Sequence, residues 1–116
     1  MIVDVLLTNA LNIVAQVAVH RANPSDASRF VNAAARYLPA LRPERARLIA
    51  RRLRTGSCLT RSISLASRIP GAFVAIGVQP NERSIVAHAW VEVGASPLLE
   101  DSWGEPMARL TGRQMC

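Results

Sequence analysis

The chain contains no lysine. All 14 of its basic residues are arginine, and they face only eight acidic residues, for a formal net charge of +6. Arginine pairs with carboxylate and phosphate, so a basic surface of this kind admits an acidic partner without identifying one. Cysteine is scarce too: Cys58 and Cys116 are the only two, too few for a secreted disulfide scaffold, and both are expected to be free thiols in a reducing compartment. There are two histidines, His20 and His88, and no Cys-x-x-Cys or His-x-x-x-His pair. The close-spaced ligands of a zinc site are therefore lacking, and neither a metal nor any other cofactor is expected. Aromatics make up 4% of the chain, and none interleaves the arginine-rich stretch Arg42, Arg45, Arg47, Arg51, Arg52, Arg54. No reader motif accompanies it, so a solvated helix face is expected there, with peptide docking as the next reading and no nucleic acid.

Long uninterrupted apolar runs are also missing. Asp4, Asn9, Asn12 and Gln16 break up the apolar N-terminus, which lacks a basic start. Neither a signal peptide nor a membrane span is expected, and the protein is placed in the cytoplasm. There are no repeats, low-complexity tracts or linkers. The 116 residues, half of them hydrophobic, can bury about two thirds of their unfolded surface. One domain over 1–116 is expected, with a helical part at 1–54 and a core at 55–103 that carries the chemistry.

Residues 2–19 read as an amphipathic helix. Asp4, Thr8, Asn12 and Gln16 recur every four positions, and Ile2, Val5, Leu6, Ile13 and Val17 are expected to face inward. Ser25 or Asp26 is expected to cap a second helix over about 26–38, ended by Pro39. Pro43 suits the first turn of a third helix over about 43–54. After the break Thr55-Gly56-Ser57, a fourth helix runs from Cys58 to about 69, stopped by Pro70-Gly71. The period then changes from helix to strand: 73–78, a turn at 79–83, 85–93, a turn at 94–97, and 98–103. Helices followed by an antiparallel meander make an α+β fold.

Three reactive side chains fall on three of these elements. Cys58 sits at a helix start, with Ser57 as the expected cap. The free amides and dipole there favour an anion, hence thiolate over thiol, and could donate to an oxyanion on a substrate carbonyl. The bland alternative is a small buried residue. His88 lies in a strand, with Trp90 two positions on and on the same face. Trp90 would screen a Cys–His pair and wall a groove, or else belong to the core; Ser57 and Trp90 are the candidate substrate contacts. Asp101 is the expected orienter of His88, and Glu100, on the opposite face of its strand, is the rival. Gln79 is a conceivable oxyanion donor, in an expected turn. A thiol nucleophile, an imidazole base and an orienting carboxylate together make a hydrolase or acyl-transfer site.

The blocks Cys58-Leu59-x-Arg61-Ser62 and His88-Ala89-Trp90-Val91-Glu92, about thirty residues apart and followed by an acidic residue, resemble the leader-peptidase part of the B proteins of lasso peptide biosynthesis. These are cysteine proteases of the transglutaminase-like group, and the likeness spans about residues 30–103. It implies a papain- or transglutaminase-like core in which the cysteine helix packs on a small antiparallel sheet. It further implies removal of the leader from a ribosomally made precursor by a Cys58–His88–Asp101 triad through a thioester. The chain's size matches the split form of the family, so the implied partners are the precursor peptide, a separate leader-recognition protein and, as a further candidate, the lasso cyclase. Two other readings compete. One is a transglutaminase-like acyltransferase with an amine as acceptor; the other is a non-catalytic basic module that binds peptide or nucleic acid.

Overall fold

A computed structural model of the chain describes residues 1–53, 55–81, 84–94, 96–99 and 102–114. The element order is α1 (Ile2–Arg21), α2 (Pro24–Ala35), α3 (Pro43–Ala50), α4 (Cys58–Ala66), β1 (Ala72–Asn81), β2 (Ser84–Val93), β3 (Ser96–Pro97) and β4 (Ala108–Thr111). The four strands form one antiparallel sheet in the order β3-β2-β1-β4. The fold is α+β, as the switch in hydrophobic period implies. α4 packs between α1 and the sheet. Its Ile63, Leu65 and Ala66 join Leu11, Ala15, Val31, Ile49, Val74 and Val91 in one core.

The strands depart from expectation at the C-terminal end. β1 and β2 extend into the expected turn and pair from Ala72↔Val93 to Asn81↔Ser84. Of the expected third strand at 98–103, residues 100 and 101 lie outside the described residues and the others are not strand; the short strand Ser96–Pro97 falls instead inside the expected turn. The fourth strand was not foreseen: Ala108–Thr111 pairs with β1 on its other side, with Phe73 opposite Thr111. Helix boundaries are closer. The cap of α2 is Asn23, whose side chain accepts from the Asp26 amide, rather than Ser25 or Asp26, because Pro24 takes the first helical position.

The larger correction concerns α1: of the residues expected inward Val5 does pack against the core, but the other four do not. Ile2, Val3, Leu6, Ile13 and Val17 are all more than half exposed, whereas Thr8 and Asn12 are completely buried. The polar stripe points inward because every member finds a partner there. Asp4 pairs with Arg45 and Arg68, and Thr8 accepts from Arg68. Asn12 and Gln16 donate to the Thr55 carbonyl and hydroxyl. Nor do the polar interruptions exclude a membrane span on composition, since α1 contains an 18-residue window of mean hydropathy 1.8, long and apolar enough to cross. What they do in this fold is bond to the rest of the chain.

Candidate active site

The site begins with the turn before α4. Gly56 has φ +81°, and a Cβ there would lie 2.4 Å from Thr60 Oγ1, with Gln16 Nε2 and Asn12 Oδ1 just beyond 3 Å. Only glycine fits this left-handed, crowded position. The turn delivers Ser57 as N-cap: its Oγ accepts from the Thr60 amide at 3.2 Å, while Thr60 Oγ1 accepts from the Ser57 amide at 3.0 Å. This reciprocal box closes two orphan donors and makes Cys58 the first residue of the helix. Ser57 Oγ accepts in the cap, which leaves its O–H free to donate.

The thiol is held from the other side by β2. Among the described residues, β3 pairs with Glu92 and Val93, and the Leu98 amide donates to the Val91 carbonyl. Two residues back on the same edge of β2, the Ala89 N–H donates to Cys58 Sγ at 3.3 Å. Cys58 is partly buried and is a free thiol. A helix start and a strand amide thus converge on one sulfur.

Strand alternation puts Ala89 and Val91 in the helix-side core and His88, Trp90 and Glu92 on the opposite face. The His88 ring lies between two indoles. Its centroid is 5.7 Å from that of Trp90, in a stacked arrangement, and 4.9 Å from that of Trp103. Gly77, opposite His88 in the register, makes room for them: a Cβ there would meet the Trp90 ring at 2.9 Å and Trp103 Cβ at 3.6 Å. Trp90 is completely buried, so the expectation that it walls a substrate groove is corrected; it fixes the histidine face from within. Glu92, the last residue of the His-Ala-Trp-Val-Glu block, accepts from Arg109 of β4 at 2.8 Å. This bond draws the Arg109 guanidinium above its ordinary range, which ties β2 to β4 across β1.

Cys58 and His88 line one pocket of about 190 Å³, whose other walls include Leu65, Val91, Leu98 and Leu99, with Arg61 among them. Gln79 lies on β1 instead of in a turn, exposed and diagonal to His88 on the same sheet face. Asp101 and its rival Glu100 lie outside the described residues, as does Cys116. The sequence reading missed Asn12, Gln16, Gly56, Gly77, Trp103 and the Ala89 amide. Only Gly56, between Thr55 and the cap, carried a local signal.

The sequence profile described as the transglutaminase-like superfamily matches residues 6–111. The chain belongs to the transglutaminase-like superfamily. Cysteine proteases are among the members of that superfamily, and the helix-borne Cys58 with its antiparallel sheet is consistent with a transglutaminase-like core. No curated protein and no solved structure matches the chain.

Proposed function

We propose that this transglutaminase-like protein is a cysteine peptidase that removes the leader from a lasso precursor peptide in the cytoplasm. The observation that carries the reading is the setting of Cys58 Sγ: first residue of a capped helix, bonded to the Ala89 amide, and sharing a pocket with His88. The Cys58-Leu59-x-Arg61 and His88-Ala89-Trp90-Val91-Glu92 blocks supply the lasso part of the proposal.

In this mechanism the thiolate of Cys58 attacks the scissile carbonyl. The α4 amides receive the negative charge that develops on its oxygen. The His88 imidazolium gives its proton to the leaving amine, which is the new N-terminus of the core peptide. The leader remains as a thioester on Cys58. Water, deprotonated by His88, then releases it as a carboxylate. Asp101, with Glu100 as its rival, orients the imidazole. The pocket has room for one side chain beside the scissile bond, and in this proposal a separate recognition protein holds the leader, as the resemblance implies.

The test is to incubate the protein with a candidate precursor and that recognition protein and to weigh the products by mass spectrometry. Wild type should yield leader carboxylate and free core, and Cys58→Ala should retain the fold and yield neither. Cleavage by Cys58→Ala would sink the proposal. Capture of the leader as an amide with an added amine, in preference to hydrolysis, would instead make the enzyme an acyltransferase.

A further inference from the structure

At the opposite edge of the sheet from Cys58, α2 runs beside β4 and leaves a groove of about 760 Å³. The two elements are latched: Ser28 Oγ and Asn32 Nδ2 both donate to the Thr111 carbonyl, at 3.2 and 2.8 Å. Four arginines line the groove. Arg109 is committed to Glu92. The other three carry charge that the described carboxylates do not match. Arg29 approaches Asp26 only at 3.8 Å, with both side chains mostly exposed. Arg36 stands 4.7 Å over the Tyr37 ring, a neutral platform that fixes the guanidinium without cancelling it. Arg113 binds the Arg36 and Leu38 carbonyls through Nη2, while its Nη1 is buried with no partner. Asn32 Oδ1 is likewise buried and unpartnered.

We propose that this groove is a binding site for an extended acidic peptide segment, separate from the pocket at Cys58. Carboxylates of the segment engage the forked, exposed donors of Arg29 and Arg36, and Arg113 adds positive charge to the wall behind them. The volume is larger than a lone anion needs, and Asp26 at the rim opposes a continuous run of phosphates while tolerating a peptide of mixed charge.

Fluorescence anisotropy with a labelled peptide of alternating Glu and Ala tests this, with the Gln/Ala peptide as control. The Glu peptide should bind the intact chain, and the Gln peptide should bind on the order of tenfold more weakly. Arg29→Glu with Arg36→Glu, both surface changes, should cost the Glu peptide on the order of tenfold in affinity without altering the circular dichroism. Arg51→Glu with Arg52→Glu, the same charge change elsewhere on the surface, should cost much less. Equal losses from the two pairs would reduce the effect to net charge and overturn the proposal. So would tighter binding of a single-stranded oligonucleotide that is lost with the Arg29/Arg36 pair. Neither outcome depends on whether Cys58 cleaves anything.

Discussion

At the scale of single residues, the site depends on two glycines and one backbone amide as much as on its reactive side chains. Gly77 is the clearest case. A valine there would push into the Trp90 ring, which is fully buried and cannot yield outward. Overpacking of this kind costs about 1–3 kcal/mol. Because Trp90 and Trp103 both contact the His88 ring, Gly77→Val should lower kcat of the proposed leader cleavage more than it changes KM. Steady-state kinetics beside urea denaturation will separate the two effects, and a loss confined to stability would deny the indoles any positioning role. Gly56→Ala should act on the sulfur instead. It forces a Cβ onto Thr60 Oγ1 and breaks the capping box that makes Cys58 the start of α4. A lost cap costs about 1 kcal/mol, and alkylation of Cys58 by iodoacetamide at neutral pH should slow in the variant. Cys58, Ser57 and His88 were legible in the sequence because each is a reactive or capping residue type at an element boundary or in an apolar strand. The Ala89 amide was not, since any residue type supplies one and only the packing of α4 against β2 brings the thiol to it.

At the scale of elements, α1 shows why hydrophobic period can locate a helix and still misplace its faces. The period of 3.6 fixes the helix, but here each stripe is a coherent candidate for the interior. Burial of the polar stripe depends on partners from distant parts of the chain, Thr55 and Arg68, that local patterning does not contain. The facing is testable. Leu6→Gln and Ile13→Gln change exposed positions and should alter stability by no more than about 0.5 kcal/mol. Asn12→Ala removes the bond to the Thr55 carbonyl, leaves that group without its donor, and should cost about 1–3 kcal/mol. Chemical denaturation of the three variants gives the answer, and a large loss at Leu6 would restore the original facing. Asn12→Ala should also slow alkylation of Cys58, because Thr55 begins the turn that positions the cap. α1 is thus the buttress of the active-site turn, a function invisible to any reading that treats its polar residues as a solvated face. β4 escaped detection for a different reason: four residues with one half-buried apolar side chain, Leu110, carry no alternation to recognise.

At the scale of the whole molecule, the helical layer is closed by one buried cation. Arg68 follows α4 and is completely inaccessible. Its Nη1 donates to Thr8 of α1, and its Nη2 donates to the Asp4 carboxylate and to the Pro39 carbonyl. Its own carbonyl accepts from the Leu41 amide at 2.7 Å. Asp4 in turn reaches Arg45 of α3 at 2.9 Å. Three helices and the segment between α2 and α3 therefore meet at one charge cluster. A buried cation that loses its carboxylate keeps its desolvation penalty without the compensating attraction, so Asp4→Asn should destabilise the protein by about 3 kcal/mol. The bonds from Arg45 and then Arg68 hold the Asp4 carboxyl below its ordinary range. A carboxyl whose folded value is depressed contributes stability that is complete above its unfolded value, about 3.9, and is lost as the pH falls through the folded one. The stability gap between wild type and Asp4→Asn should consequently be constant from neutral pH down to about 5 and narrow below about 4, as the wild-type carboxyl takes up its proton. Urea denaturation of both proteins across that range measures the gap directly. A gap that widened in acid would mean that Asp4 is protonated more readily in the folded chain than in the unfolded one, and the cluster would then be a cost that the fold carries instead of the joint that closes it.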